Sequence, residues 1–367
     1  MSVTAQMRRF SALPAGMHWP VAETRLSVVA PTPSAEVAMS TTVQTATDIR
    51  RFHVDKSMKA VRADKRGGPE VLRYEDAPVP EVGARDVLVE VHAAAVTSGE
   101  LAWDATWQSA DGADRTPIVP SHEFSGVIAE VGGEVSALTP GTQVYGLIDF
   151  NHDGAAAEYV SLPQEVAVPR PARLSHVESA ALPLAALTAW QALSDRARVQ
   201  PGERVFIQGG AGGVGSLAVQ LAKALGAEVT ATASDDDAPL VKTLGADRVV
   251  PSASSALSRD EPLFDVLLNT FGGPVPVESY GLVRPRGRLV TLAQPPDQSM
   301  AERHGIQGIF FVVASDPDEL RRIADLAEQG ELRPVIARTL PLAKAAMAYT
   351  PPPAPRRPGK TVLVVRP

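Results

Sequence analysis

The sequence predicts an α/β protein in two parts, a mostly β segment and a doubly wound parallel sheet. Three observations carry this. The chain has 367 residues, more than one ordinary domain and suited to two. Up to about residue 175, short strand-like runs are separated by Gly and Pro turns such as Pro140-Gly141. Beyond it, strand and helix patterns alternate, the rhythm of βαβ units.

Residues 1–57 read differently. They are rich in Ala, Ser, Thr, Val and Pro, and hold six Lys/Arg against four acids. No continuous apolar stretch there suits a signal peptide. Arg8 and Arg9 hint at a transit sequence. The segment is expected to be a disordered extension, or an over-extended reading frame with its true start near Met58.

The ordered chain is expected to begin at "MKAVRADKRG". In "DVLVEVHAAAV", Val87, Val89 and Val91 alternate with Leu88, Glu90 and His92, which predicts a half-buried strand. "FSGVIAEVG" and "TQVYGLI" continue the β part. "HVESAALPLAALTAWQAL" reads as a buried helix. It belongs to the longest uncharged apolar run, Ser179 to Ser194, which is shorter than the roughly 20 residues a bilayer needs. Then follow "RVFIQ", "SLAVQLAKALG", "EVTATAS", "APLVKTLGA", "RVV", "FDVLLNT", "RLVTL" and "IFFVV". One more helix, "DPDELRRIADLAEQG", a Pro-rich stretch and the strand "KTVLVV" close the chain.

Composition excludes several functions. Net charge is -7 with no Lys/Arg block, so there is no footprint for nucleic acid or an anionic membrane. The chain has no cysteine, which excludes disulfides, thiolate metal sites and Cys nucleophiles. A cytoplasmic location is expected.

The strongest chemical signal is "RVFIQGGAGGVGSLAVQLAKALGA". Gly210, Gly212 and Gly215 fit G-x-G-x-x-G, with Ala211, Gly213 and Val214 between them. A strand precedes the loop, and a helix with Leu217, Leu221 and Leu225 on one face follows it. Such a loop brings backbone N–H groups against a pyrophosphate at a helix N-terminus. The end of the next strand should read the ribose. Thr232 and Ser234 stand where a carboxylate would select NAD, which favours NADP(H). Asp235, Asp236 and Asp237 follow at once, and Ser234 with Asp237 also fits a capping box.

With "PSHEFSG" (Pro120 to Gly126), "AALPLAALTAWQAL", "FDVLLNTFGG", "RPRGRLVTLA" and "GKTVLVV", the chain from about Met58 to Pro367 resembles the medium-chain dehydrogenase/reductase superfamily. The nearest pattern is its zinc-free quinone oxidoreductase (zeta-crystallin-like) and enoyl reductase branch. The resemblance implies a GroES-like β-rich catalytic domain over 58–177, completed by 315–367. A Rossmann NADP-binding domain over 178–314 would be inserted in it, with the active site in the cleft between.

In zinc-containing relatives, by the same resemblance, the metal takes three positions that here hold Thr97, His122 and Leu184. Two of these are not ligands, so no metal is expected. His92, His152 and His176 match no ligand position. His122 is then expected to be a scaffold element of the cleft floor, with Glu123 orienting it or bracing the neighbouring loop.

Without a Lewis acid, the implied chemistry is hydride transfer to a quinone or to a C=C bond conjugated to a carbonyl, with hydrogen-bond donors stabilising the charge on oxygen. Thr97 and Ser98 can donate to that oxygen, or merely shape the turn "TSGE". Tyr145 can be a proton donor or a pocket wall. Trp103 and Trp107 can pack on a substrate ring or anchor the loop. A structural hydrogen bond is expected of Glu100. The resemblance also places Thr188, Asn269, Thr270, Ala293, Phe311 and Val312 at ribose or nicotinamide, and offers Arg356 or Arg357 to a 2′-phosphate. It implies a homodimer through the sheet edge near "IFFVV". Two alternatives stand beside this: a tailoring enoyl reductase of a specialised metabolite, and a catalytically silent nucleotide-binding interaction protein.

Overall fold

The computed structural model describes residues 56–251, 263–351 and 357–366. The extension at 1–57 and Arg356 lie outside them, apart from Lys56 and Ser57. The chain from residue 56 onward forms two main sheets.

The first sheet is mixed and has seven strands. A hairpin-like pair, β1 (Ser57–Arg62) and β2 (Arg73–Pro78), lies beside it. The sheet is built on β3 (Asp86–Val96), which pairs antiparallel with β4 (Glu123–Val131); β5 (Gln143–Leu147) and β7 (Val168–Pro169) continue outward. The other edge of β3 is shared. Its first half takes β6 (Tyr159–Pro163), and its second half takes the chain's last strand, β15 (Lys360–Val364). Other elements also cover both faces of most of β3, so the strand is not half-buried as its alternation predicts. Leu88 is as buried as its Val neighbours, and Ala93, Ala95 and Val362 are closed over by helix α2 (His176–Ala180). A one-turn helix, α1 (Asp104–Trp107), lies on the connection from β3 to β4.

The predicted single helix after residue 175 is broken. Ser175 and Glu178 form a reciprocal capping box at the start of α2, and a separate helix α3 (Pro183–Trp190) begins at the proline. Pro183 lacks the N–H that would continue α2 and its ring suits only a first turn.

The second sheet has six parallel strands. They are β8 (Arg204–Gln208), β9 (Glu228–Ala233), β10 (Arg248–Pro251), β11 (Phe264–Asn269), β12 (Val283–Thr291) and β13 (Gln307–Phe310), in the order β10-β9-β8-β11-β12-β13. Helices α4 (Gly213–Ala224), α5 (Ala238–Thr243), α6 (Val277–Tyr280) and α7 (Gln298–Arg303) connect them. The order reverses at β8, and in such sheets a ligand crevice opens at the strand ends beside that reversal. The Gly loop leaves β8 at that point.

Helix α4 buries Leu217, Ala218, Leu221 and Ala222 against the sheet and α3. Each fully buried leucine contributes about 2 kcal/mol. Gly215 permits the close approach: a Cβ there would lie 1.9 Å from the Gly209 carbonyl oxygen.

Helix α8 (Pro317–Gln329), capped by Asp316, returns the chain to the first sheet. There β14 (Ile336–Pro341), α9 (Ala345–Tyr349) and β15 complete it. Tyr145, Leu147 and Val168 of the first sheet share one apolar cluster with Ile207, Leu217 and Val290 of the second part. Among the described residues, no helix is long and apolar enough to cross a membrane.

Candidate active site

The Gly loop and the last strand meet. The Gly359 N–H donates to the Ala211 carbonyl at 2.9 Å, and Gly212 and Gly359 form an isolated parallel bridge. Beside this contact lies a cleft of about 550 Å³. It is lined by Thr97 and Ser98 from the end of β3, Gly212, Gly213 and Val214 from the loop, Leu184, Thr270, Lys360, and a C-terminal wall that includes Arg338 and Arg357. Six of the predicted site residues therefore converge: Thr97, Ser98, Gly212, Gly213, Val214 and Thr270.

The loop is held from below. The Gly209 N–H donates to Thr232 Oγ1 at 2.8 Å, and the Gly210 N–H to the Thr232 carbonyl at 2.8 Å. Thr232 is buried and braces the loop from the end of β9. Helix α4 starts at Gly213 with no side-chain cap, so its first N–H groups border the cleft bare of side-chain acceptors. An uncapped helix start beside an open glycine turn fits a dinucleotide's phosphates.

Of the other predicted cofactor residues, Thr188, Ser234, Asn269, Ala293, Phe311 and Val312 are absent from the cleft lining, whereas Thr270 belongs to it. Thr188 donates to the Leu184 carbonyl at 2.6 Å. Asn269 accepts the Phe271 N–H through its side chain, and Thr270 donates to the Gln208 carbonyl at 2.7 Å. Phe311 is buried with Arg196 over its ring, whereas Val312 and Ala293 are exposed. Ser234 is exposed and bonded reciprocally to Asp237, at 2.8 Å through the carboxylate and 3.2 Å through the N–H.

The segment "PSHEFSG" splits its two ionisable residues between two clusters. His122 is buried, with Nδ1 3.1 Å from Glu100 Oε2 and Nε2 3.1 Å from the His152 carbonyl. Glu100 also accepts the Ser121 N–H at 2.9 Å and the Tyr349 hydroxyl. Burial, then the adjacent Glu100 carboxylate, push the Tyr349 phenol well above its ordinary value and keep it a donor.

Glu123 faces elsewhere. It accepts the Leu184 N–H at 3.0 Å and pairs with the Lys360 ammonium, which lies 3.3 Å from Thr97 Oγ1. Glu100, not Glu123, therefore orients His122, which corrects the expectation drawn from their adjacency. Successive side chains entering a strand point to opposite faces.

Tyr145 requires a second correction. Its hydroxyl donates to the Leu320 carbonyl at 2.6 Å, and the residue is fully buried in the core. With its hydroxyl engaged by Leu320 and the residue absent from the cleft lining, it presents neither a proton donor nor a wall to the cleft. His122 likewise has both nitrogens engaged within the protein and is absent from the cleft lining. Trp107 anchors its loop by donating to the Leu101 carbonyl at 2.9 Å. Trp103 stands edge-on to Phe150, their centroids 5.1 Å apart.

A catalytic zinc does not fit these residues. Leu184 has no donor atom, and His122 has no nitrogen to spare. Thr97 Oγ1 lies beside an ammonium, which would repel a cation. Among the described residues, no three His, Cys, Asp or Glu side chains gather as a metal site requires.

Sequence reading missed Lys360 and Tyr349. A lysine buried at the first position of an apolar strand, in "GKTVLVV", was the available signal, since buried lysines are rare unless paired. Tyr349 left none, because its partners lie far away in sequence.

Comparison with known proteins agrees with this architecture. Residues 83–172 match the alcohol dehydrogenase GroES-like domain family, and residues 244–363 match the zinc-binding dehydrogenase family. The human mitochondrial NAD(P)H oxidoreductase RTN4IP1 is 31% identical over 359 residues, covering 84% of this chain and 89% of its own. The 2-methylene-furan-3-one reductase of Solanum lycopersicum is 30% identical, covering 86% and 80%. The quinone oxidoreductase structure from Coxiella burnetii superposes with a TM-score of 0.77 at 30% identity, covering 85% of this chain and all of that one (100%).

Proposed function

The chain belongs to the medium-chain dehydrogenase/reductase superfamily, in its quinone oxidoreductase and enoyl reductase branch, and on that premise we propose that it is an NADPH-dependent, zinc-free reductase of quinones or α,β-unsaturated carbonyls. It is an oxidoreductase, and its relatives' names support a nicotinamide cofactor and small-molecule substrates. One observation carries the reading: the uncapped start of α4 and the Thr97 and Ser98 hydroxyls line the same cleft.

When bound, a reduced nicotinamide supplies the hydride. The N–H groups at the start of α4 would hold its phosphates, and Thr270 borders the same cleft. The hydroxyls of Thr97 and Ser98 would donate to the substrate oxygen on which charge develops. The α-carbon proton of a reduced enone would come from solvent. Thr232 in place of a carboxylate, with Arg357 on the cleft wall, supports NADPH over NADH. A homodimer would use the free edge at β13, where Phe310 and Val312 are exposed large apolar residues. We place the domain division as read from the sequence, 58–177 with 315–367, and 178–314.

Titration with NADPH and NADH, followed by NADPH oxidation against a panel of quinones and enones, tests the reading. Tighter NADPH binding with turnover is expected. Tighter NADH binding sinks the cofactor choice. Tight binding without turnover on any acceptor would mean a silent nucleotide-binding protein.

A further inference from the structure

We propose that Lys360 is the electrostatic partner of Thr97 in the reduction: its ammonium polarises the Thr97 hydroxyl, which donates to the substrate oxygen as negative charge develops there. This rests on the reductase reading above and makes Lys360 a positioning residue that acts through Thr97.

The geometry follows from the last strand. Lys360 opens β15, directly after the glycine tied to the Gly loop. Its stem runs beneath Gly213, where an added Cβ would lie 2.8 Å from Lys360 Cδ. The residue is 8% exposed, and its ammonium meets Glu123 and Thr97. An ammonium only donates, so Thr97 Oγ1 accepts from it and keeps its own hydrogen for another acceptor. The alternative acceptor, Glu123 Oε2, is 3.5 Å from Thr97 Oγ1, the outer limit of a hydrogen bond. A hydroxyl that accepts from a cation becomes a stronger donor.

Glu123 does not cancel this effect. Its Oε1 accepts the Leu184 N–H at 3.0 Å, at the first turn of α3, where the helix dipole draws on the carboxylate's charge. Glu123 thus fixes the buried ammonium in place, and the cation presents itself to Thr97. The Leu184 N–H and Thr97 Oγ1 both converge on this ion pair, so a fixed cation within the protein serves as the electrophilic element beside the substrate oxygen. The backbone link from Gly359 to Ala211 sets this cation at a constant place relative to the Gly loop.

The reaction balances without a further reactant. The hydride bonds to the β-carbon, the C=C pair moves toward oxygen, and a solvent proton completes the α-carbon. For a quinone, the hydride and one solvent proton supply the two hydrogens of the hydroquinone, and in both cases the reduced nicotinamide is the two-electron reductant.

The test is a kinetic cycle against wild type in which Lys360→Met always carries Glu123→Gln with it, so that removing the ammonium leaves no buried unpaired carboxylate. Thr97→Ala and Lys360→Met are each expected to lower kcat on 1,4-benzoquinone or an enone by about a hundredfold, and together by no more than either alone. Multiplying losses, or a Lys360→Met kcat within about threefold of wild type, overturns the proposal. Thermal unfolding confirms that each variant is folded.

A binding arm separates this idea from the reading beneath it. With NADP+ present, 4-nitrophenolate, a stand-in for the oxyanion, should bind at least about thirtyfold more weakly to Lys360→Met, while neutral nitrobenzene is unaffected. Equal phenolate affinity in both proteins would refute the role of Lys360. A wild-type protein that reduces no quinone or enone, yet shows the phenolate difference, would refute only the reductase reading.

Discussion

Gly359 donates its backbone N–H to the carbonyl of Ala211 at 2.9 Å, so the final strand of the first sheet is fastened to the nucleotide-type loop of the second. The two residues come from opposite ends of the fold's logic. One closes a β sheet and the other opens a helix, and the cleft lies where they meet.

Gly359 takes a φ of 93°, and a Cβ there would stand 2.0 Å from the Val335 carbonyl oxygen. Gly359→Ala must therefore bend the strand start as well as bear the left-handed backbone, at a cost of about 3 kcal/mol. The expected outcome is a lower unfolding midpoint in denaturant and weaker binding of NADPH, because the Gly loop loses its tether. Unchanged stability and unchanged affinity would show that the tether carries no energy.

His122→Ala removes the ring that lies between Glu100 and the His152 carbonyl. Glu100 loses that partner in a buried setting and the His152 carbonyl in a partly buried one, so a loss of about 2 kcal/mol is expected. Metal analysis of both purified proteins is expected to find no stoichiometric zinc. About one zinc per wild-type chain, lost in the variant, would contradict the account of His122 as scaffold.

Burial, joined by the negative charge of Asp195, holds the Glu319 carboxyl at about 7 against an ordinary 4.5, although Gln191 donates to it at 2.7 Å. The folded state binds this proton more tightly than the unfolded chain does. The stability it confers is therefore full below about 4.5 and is lost as pH rises to about 7. Glu319 is only half-buried, and solvent screening limits the effect to roughly 1 kcal/mol. The Glu319→Gln variant should abolish that slope. The wild-type minus variant difference in stability, followed from pH 4 to 8, isolates its contribution; a flat difference would refute the assignment.

Much of this was legible locally. The alternation of strands and helices and the strand–glycine–helix unit each lie within a few tens of residues, where hydrophobic period and turn chemistry act. The break at Pro183 was available too, since the proline is in plain view. The burial of Leu88 was not, because it depends on which elements cover both faces of β3.

The sequence by itself determined the architecture, the position of the nucleotide-type loop and the lack of a zinc ligand set, because residue type and short-range spacing suffice for those. Tertiary structure alone decided which side chains meet. Glu123 and Lys360 are 237 residues apart and Glu100 and Tyr349 are 249 apart, and each pair forms only once the C-terminal strand and helix close the first sheet. No periodicity encodes such a pairing. The direction of a side chain follows from strand register and covering elements, and these sent His122 into the scaffold and Glu123 toward the cleft's cation.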